Sequence, residues 1–119
     1  LGFALELGAL LGRAPDTHRH VLRQIGECIG LGFQLKDDYL DVYGQPDKFG
    51  KLVGGDILAN KKTFLLIDAL EKAQGATRSE LERWLAVKEF NPVEKVEAVT
   101  AIYDSLGVGK TTEELMNRY

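Results

Sequence analysis

Phe33-Gln34-Leu35-Lys36-Asp37-Asp38-Tyr39-Leu40-Asp41 places three carboxylates within five residues of a stretch that otherwise reads as a half-buried helix. Residues three and four apart share a helix face. Gln34, Asp37 and Asp41 therefore line one stripe, and Asp38 stands about 100° round from Asp37. The neighbours Leu31, Phe33, Leu35, Tyr39, Leu40 and Val42 predict partial burial. Crowding and burial both make three ionised carboxylates costly without a compensating cation. Donors that are all oxygen favour a hard ion, Mg²⁺ before Zn²⁺. Mg²⁺ keeps several waters and shares its shell with phosphate-bearing substrates. A solvated acidic face, or an ion-paired structural cluster, is the alternative for the bare motif.

Working outward, the 119 residues make at most one domain, long enough to bury a core. A composition of 45% hydrophobic and 28% charged residues suits a globular protein. The net charge of −3, with no basic cluster, argues against a nucleic-acid surface. The single Cys28 forms no internal disulfide and fits a reducing cytoplasm. No apolar run approaches the ~18–20 residues of a membrane span, and no signal-peptide pattern opens the chain. It starts in mid-helix at Leu1 without Met and reads as a fragment.

Every segment reads as helix, so the expected class is all-α. Leu1 to Leu11 is apolar almost all round, fit for a core or subunit interface, with Gly12 as its stop. Asp16 is the expected N-cap of a helix from about Thr17 to Tyr43. Val21, Leu22, Ile25, Ile29, Phe33, Leu40 and Tyr43 form its expected apolar face. Gly26 and Gly30 share the stripe of Gln34, Asp37 and Asp41, where a helix or ligand tail can approach closely. Gln45 to Gly55 is a long glycine-bearing loop of the kind that is often functional. Helical periodicity resumes from Ile57 to Lys72. Thr77 with Glu80 suggests a capping box opening a helix to about Lys88. Asn91-Pro92 marks the start of another to Leu106, and Thr111 with Glu114 begins the last.

Three motifs mislead. Gly107-Val108-Gly109-Lys110-Thr111-Thr112 mimics a nucleotide-binding loop, but that pattern needs glycine where Asp104 stands, and a strand before it. It reads instead as a turn between helices. His18 and His20 point to different sides of a helix and read as surface residues. The acidic residues from Asp37 to Asp47 lack calcium-loop spacing.

FQLKDDYLD, followed by Phe49-Gly50-Lys51, Gly54-Gly55-Asp56 and Asn60-Lys61-Lys62-Thr63, resembles the second aspartate-rich region of the trans-isoprenyl diphosphate synthases, or polyprenyl synthetases. The wider pattern is similar along essentially the whole chain. The resemblance implies the C-terminal part of the isoprenoid synthase helical bundle. Residues 1–119 would be a single fragment lacking the N-terminal half, with its first aspartate-rich motif, and the extreme C-terminus. It implies Mg²⁺-dependent, head-to-tail condensation of isopentenyl diphosphate with an allylic diphosphate of the geranyl, farnesyl or geranylgeranyl type. It also implies a cytoplasmic homodimer without stable membrane insertion.

On this reading Asp37 coordinates Mg²⁺ directly, and Asp38 and Asp41 bind more weakly or through water. Lys51 and Lys61 face the diphosphate. Gln34 orients the reacting unit or bonds the diphosphate, and Phe33 presents a ring to the carbocation or second substrate. A core position is the alternative for Phe33. Asp56 holds Lys51 or a metal-bound water, or else caps a helix. Lys62 and Thr63 lie within reach of phosphate, with Lys62 more ordinary as a surface residue. With one aspartate-rich helix, the fragment alone is expected to be inactive. A squalene-synthase-like enzyme, a terpene cyclase and a non-catalytic regulatory subunit are the rival readings. Consumption of isopentenyl diphosphate, and an intact upstream acidic motif, separate them.

Overall fold

A computed structural model describes residues 2–44 and 53–119. Among these residues there are helices and no strand. The helices are α1 (Gly2–Leu11), α2 (Asp16–Tyr43), α3 (Gly55–Leu58), α4 (Phe64–Lys72), α5 (Gly75–Ala86), α6 (Pro92–Leu106) and α7 (Val108–Met116). The all-α expectation is met.

The 28 residues of α2 make a rod of about 42 Å, and the other helices distribute themselves along it. Helix α1 packs against α2, and the Cβ that Gly2 lacks would lie 2.7 Å from Glu27 Cγ. Arg23 of α2 ties the pair by bonding Glu6 at 2.6 Å and Glu27 at 3.1 Å. The C-terminal part of α2 meets α3, α4 and α7, while α6 packs against α3, α4, α5 and α7. There the core forms from Val42, Ile57, Leu65, Leu66, Val99 and Tyr103 with their buried neighbours.

Several local expectations change. Leu11 does end α1, but the left-handed residue is Arg13, at φ 59°, rather than Gly12. Asp16 is the first helical residue of α2, after Pro15, and pairs with Arg19 instead of capping. The α2 face expected to be apolar and buried stays exposed at Val21, Ile25, Ile29 and Phe33. The buried α2 residues are Gly26, Leu35, Asp38 and Val42, the last three in the C-terminal part that α3, α4 and α7 cover. In α1 only Gly2 and Ala9 are buried.

The single helix expected from Ile57 to Lys72 is two helices. Asn60 adopts φ 53°, a left-handed conformation that Asn tolerates better than most residues. The Thr63 hydroxyl then accepts the Leu66 N–H at 3.2 Å and starts α4 afresh. Helix α5 begins at Gly75 without a side-chain cap, so the Thr77–Glu80 box is not formed, and it ends at Ala86 rather than Lys88. Asn91 does cap α6, its Oδ1 accepting from Val93 and Glu94. Gly107 at φ 68° is a helix-to-helix hinge, and α7 starts at Val108, three residues before the expected Thr111. His18 and His20 are exposed.

Candidate active site

The last turns of α2 deliver the acidic motif to the junction with α3. Asp38 is the buried member, 5% exposed. Gln34, one turn earlier, donates from Nε2 to Asp38 Oδ1 at 2.9 Å. Lys61 Nζ lies 3.7 Å from the same oxygen and 3.9 Å from Asp56 Oδ1. Asp41 is engaged with α3: its carbonyl accepts the Gly54 N–H at 2.6 Å, and its Oδ2 accepts the Asp56 N–H at 2.8 Å. Asp37 is half-buried beside them and has interactions of its own.

The chain must reverse sharply to make this junction. Gly54, at φ 92°, passes so close to α6 that a Cβ there would stand 2.7 Å from both Val96 methyl carbons. Asn60 makes the second reversal, directly before Lys61. The structure thus brings Gln34, Asp38, Asp41, Asp56 and Lys61 together. Phe33 is neither core nor packed among the described residues, being 71% exposed. Asp56 is the second residue of α3, where Gly54 holds the cap position. Thr63 is buried and spends its hydroxyl on α4, while Lys62 is exposed. Lys51 lies outside the described residues, as does most of the expected loop from Gln45.

Electrostatics at the junction are dominated by negative charge. Burial holds the Asp56 carboxyl above the usual carboxylate range, Asp41, Asp38 and Asp37 push the same way, and Lys61 opposes them. Behind it, burial and the Asp56 charge raise the Tyr103 hydroxyl. Among the described residues no three Asp, Glu, His or Cys side chains are grouped so as to hold a metal ion by themselves. Asp37, Asp38 and Asp41 offer oxygen donors alone, so an ion held by them would have to complete its shell with water and phosphate, as Mg²⁺ does. The Lys61 side chain is half-exposed, and its ammonium forms ion pairs longer than a hydrogen bond. Its protons therefore remain available to an added anionic acceptor.

Sequence reasoning missed Gly54, Asn60 and Tyr103 as builders of the junction. The Gly54-Gly55 pair and the turn preference of Asn were the available signals. Tyr103, some forty residues on in α6, offered none.

The polyprenyl synthetase family model matches residues 1–103. Among similar proteins, a short chain isoprenyl diphosphate synthase of Methanocaldococcus jannaschii is 34% identical over 107 residues, which is 90% of this chain and 33% of that protein. A short chain isoprenyl diphosphate synthase of Methanothermobacter thermautotrophicus is 41% identical over 78 residues, 66% of this chain and 24% of its own length. A farnesyl diphosphate synthase of Bacillus subtilis is 42% identical over 74 residues, 62% of this chain and 25% of that one. A crystal structure of a geranylgeranyl pyrophosphate synthase superposes with a TM-score of 0.85 at 36% identity, covering 99% of this chain and 37% of that chain. The chain thus spans about a quarter to a third of the curated relatives named here. With helices throughout its described residues and a family match over most of its length, this chain belongs to the polyprenyl synthetase family.

Proposed function

We propose that this chain carries the second acidic half-site of a prenyltransferase that joins isopentenyl diphosphate head-to-tail to an allylic diphosphate. The single observation that carries the reading is the placement of Lys61. Its ammonium stands between Asp38 and Asp56, at 3.7 and 3.9 Å, with protons left over for a phosphate oxygen. Lys51 is the second lysine proposed for the diphosphate.

In the proposed reaction the allylic C–O bond breaks and the diphosphate leaves with the electron pair. The alkene of isopentenyl diphosphate attacks the cation, a C–C bond forms, and a proton is lost. Asp37 is proposed as the direct Mg²⁺ ligand, with Asp38 and Asp41 weaker or acting through water. Mg²⁺ bound there would neutralise charge on the departing diphosphate. Gln34 holds Asp38 in position and lies one turn from Asp37, where it can orient the reacting unit. Phe33 offers an apolar ring to the hydrocarbon, and Asp56 keeps Lys61 directed at the acidic patch. The proposed enzyme is a cytoplasmic homodimer whose first aspartate-rich motif comes from residues other than these.

The test uses the full-length protein with radiolabelled isopentenyl and allylic diphosphates. Asp37→Ala is expected to lower turnover by orders of magnitude, and a near-normal rate removes the metal assignment. Failure of the unaltered protein to consume isopentenyl diphosphate removes the head-to-tail reading. The 119 residues alone are expected to form no longer prenyl chain.

A further inference from the structure

Lys95 of α6 is wholly buried, with no exposed surface at all. Its ammonium donates to Asn60 Oδ1 at 2.7 Å and sits 4.3 Å from the centre of the Phe90 ring. A buried charge is costly unless it is well bonded, so a side chain committed this way constrains whatever it touches. What it touches is the elbow residue. Asn60 also donates from Nδ2 to the Leu85 carbonyl at 3.2 Å, so its side chain links α5 and α6 while its backbone holds φ 53°. The next residue is Lys61. The following side chain of α6, Val96, fills the space against Gly54 at the other end of α3. Adjacent α6 residues therefore brace both reversals that present Asp56 and Lys61 to the acidic patch.

We propose that Lys95 is a positioning residue for the diphosphate-binding Lys61, acting through Asn60. The inference rests on the role given to Lys61 above. Lys95 itself touches no substrate: it fixes the direction in which the chain leaves α3, and so where the Lys61 ammonium stands relative to Asp38 and Asp56.

The test is made in the full-length protein by steady-state kinetics with isopentenyl and allylic diphosphates. Lys95→Met keeps length and bulk but removes the ammonium. It is expected to lower kcat/KM about ten- to a hundredfold, as small misplacements of a binding group do. The thermal midpoint should change little, because the cost of burying the ammonium goes with its bond, and water can reach the exposed Asn60 left behind. In a Lys61→Ala background, Lys95→Met should add no further loss, since residues acting as one unit are not additive. Asn60→Gly keeps the left-handed backbone and deletes both side-chain bonds. It should match Lys95→Met, and it decides the matter if that variant does not fold. A full additional loss in the Lys61→Ala background overturns the proposal, as does an unchanged kcat/KM in Lys95→Met. If Lys61→Ala alone leaves kcat/KM unchanged, the role of Lys61 falls and this inference with it. If Lys61→Ala is impaired and Lys95→Met is not, only this inference falls.

Discussion

Gly54→Ala isolates the reversal at the head of α3. The backbone there sits at φ 92°, and the added methyl would stand 2.7 Å from both methyl carbons of Val96. Val96 packs against the core cluster, so it has little room to withdraw. Holding a non-glycine residue in such a conformation costs about 1–3 kcal/mol. Overpacking one methyl into a packed contact costs about 1–3 kcal/mol more. The sum is at least about 2 kcal/mol, or roughly 25-fold in an opening equilibrium. Native-state hydrogen exchange reads that equilibrium locally. The reporters are the Asp56 N–H, bonded to Asp41 Oδ2 at 2.8 Å, and the Lys61 N–H, bonded to the Asp56 carbonyl at 2.9 Å. Both should lose protection, while the Ala73 N–H, bonded at 2.8 Å to Ala69 within the α4 cap, should change far less. Adding Val96→Ala should restore part of the loss, since it relieves the contact and leaves the backbone strain. Unchanged protection at Asp56 and Lys61 in Gly54→Ala would refute the reasoning.

The helix starts give a second measurement. Thr63→Ala and Asn91→Ala each remove a side-chain cap and should each lower the unfolding free energy by about 1 kcal/mol in urea titrations. A third concerns alkaline pH. Burial, then the nearby Asp56 charge, raises the Tyr103 hydroxyl above its usual range. The native state thus keeps a proton that the unfolded chain releases at about pH 10. Its contribution is full below that pH and is lost as pH rises toward the folded value, by up to about 1.4 kcal/mol per unit. The difference between the unaltered protein and Tyr103→Phe should shrink over that range; a constant difference would disprove the coupling. Finally, chelating divalent ions should abolish prenyl transfer by the full-length protein, and Mg²⁺ should restore it. Full activity in excess chelator would count against a metal at Asp37.

Both boundaries of α6 rest on chemistry within their own few residues, and both were readable. Asn91 with Pro92 supplies its own cap, and Gly107 its own reversal, so both ends of α6 fell where expected. At the Asn60 elbow the turn preference of Asn was too weak a signal to decide, because the turn is held by Leu85 and Lys95, which lie 25 and 35 residues away. Periodicity continued straight across it and suggested one helix. The acidic motif and Lys61 were visible as residue types, and the structure adds how they divide. Asp38 is the buried member bonded by Gln34, and Asp41 anchors α3. That division depends on which side of α2 the later helices cover, and an apolar pattern says only that a face prefers burial. For Val21, Ile25, Ile29 and Phe33, no described element meets the preference.

That uncovered strip also governs how these residues behave in a test tube. With Phe3, Leu10 and Leu11 of α1, it leaves large oily side chains facing water, which tolerates them poorly. Purified by themselves, the 119 residues should light up hydrophobic dyes and cluster as concentration climbs, with mild detergent keeping them dispersed.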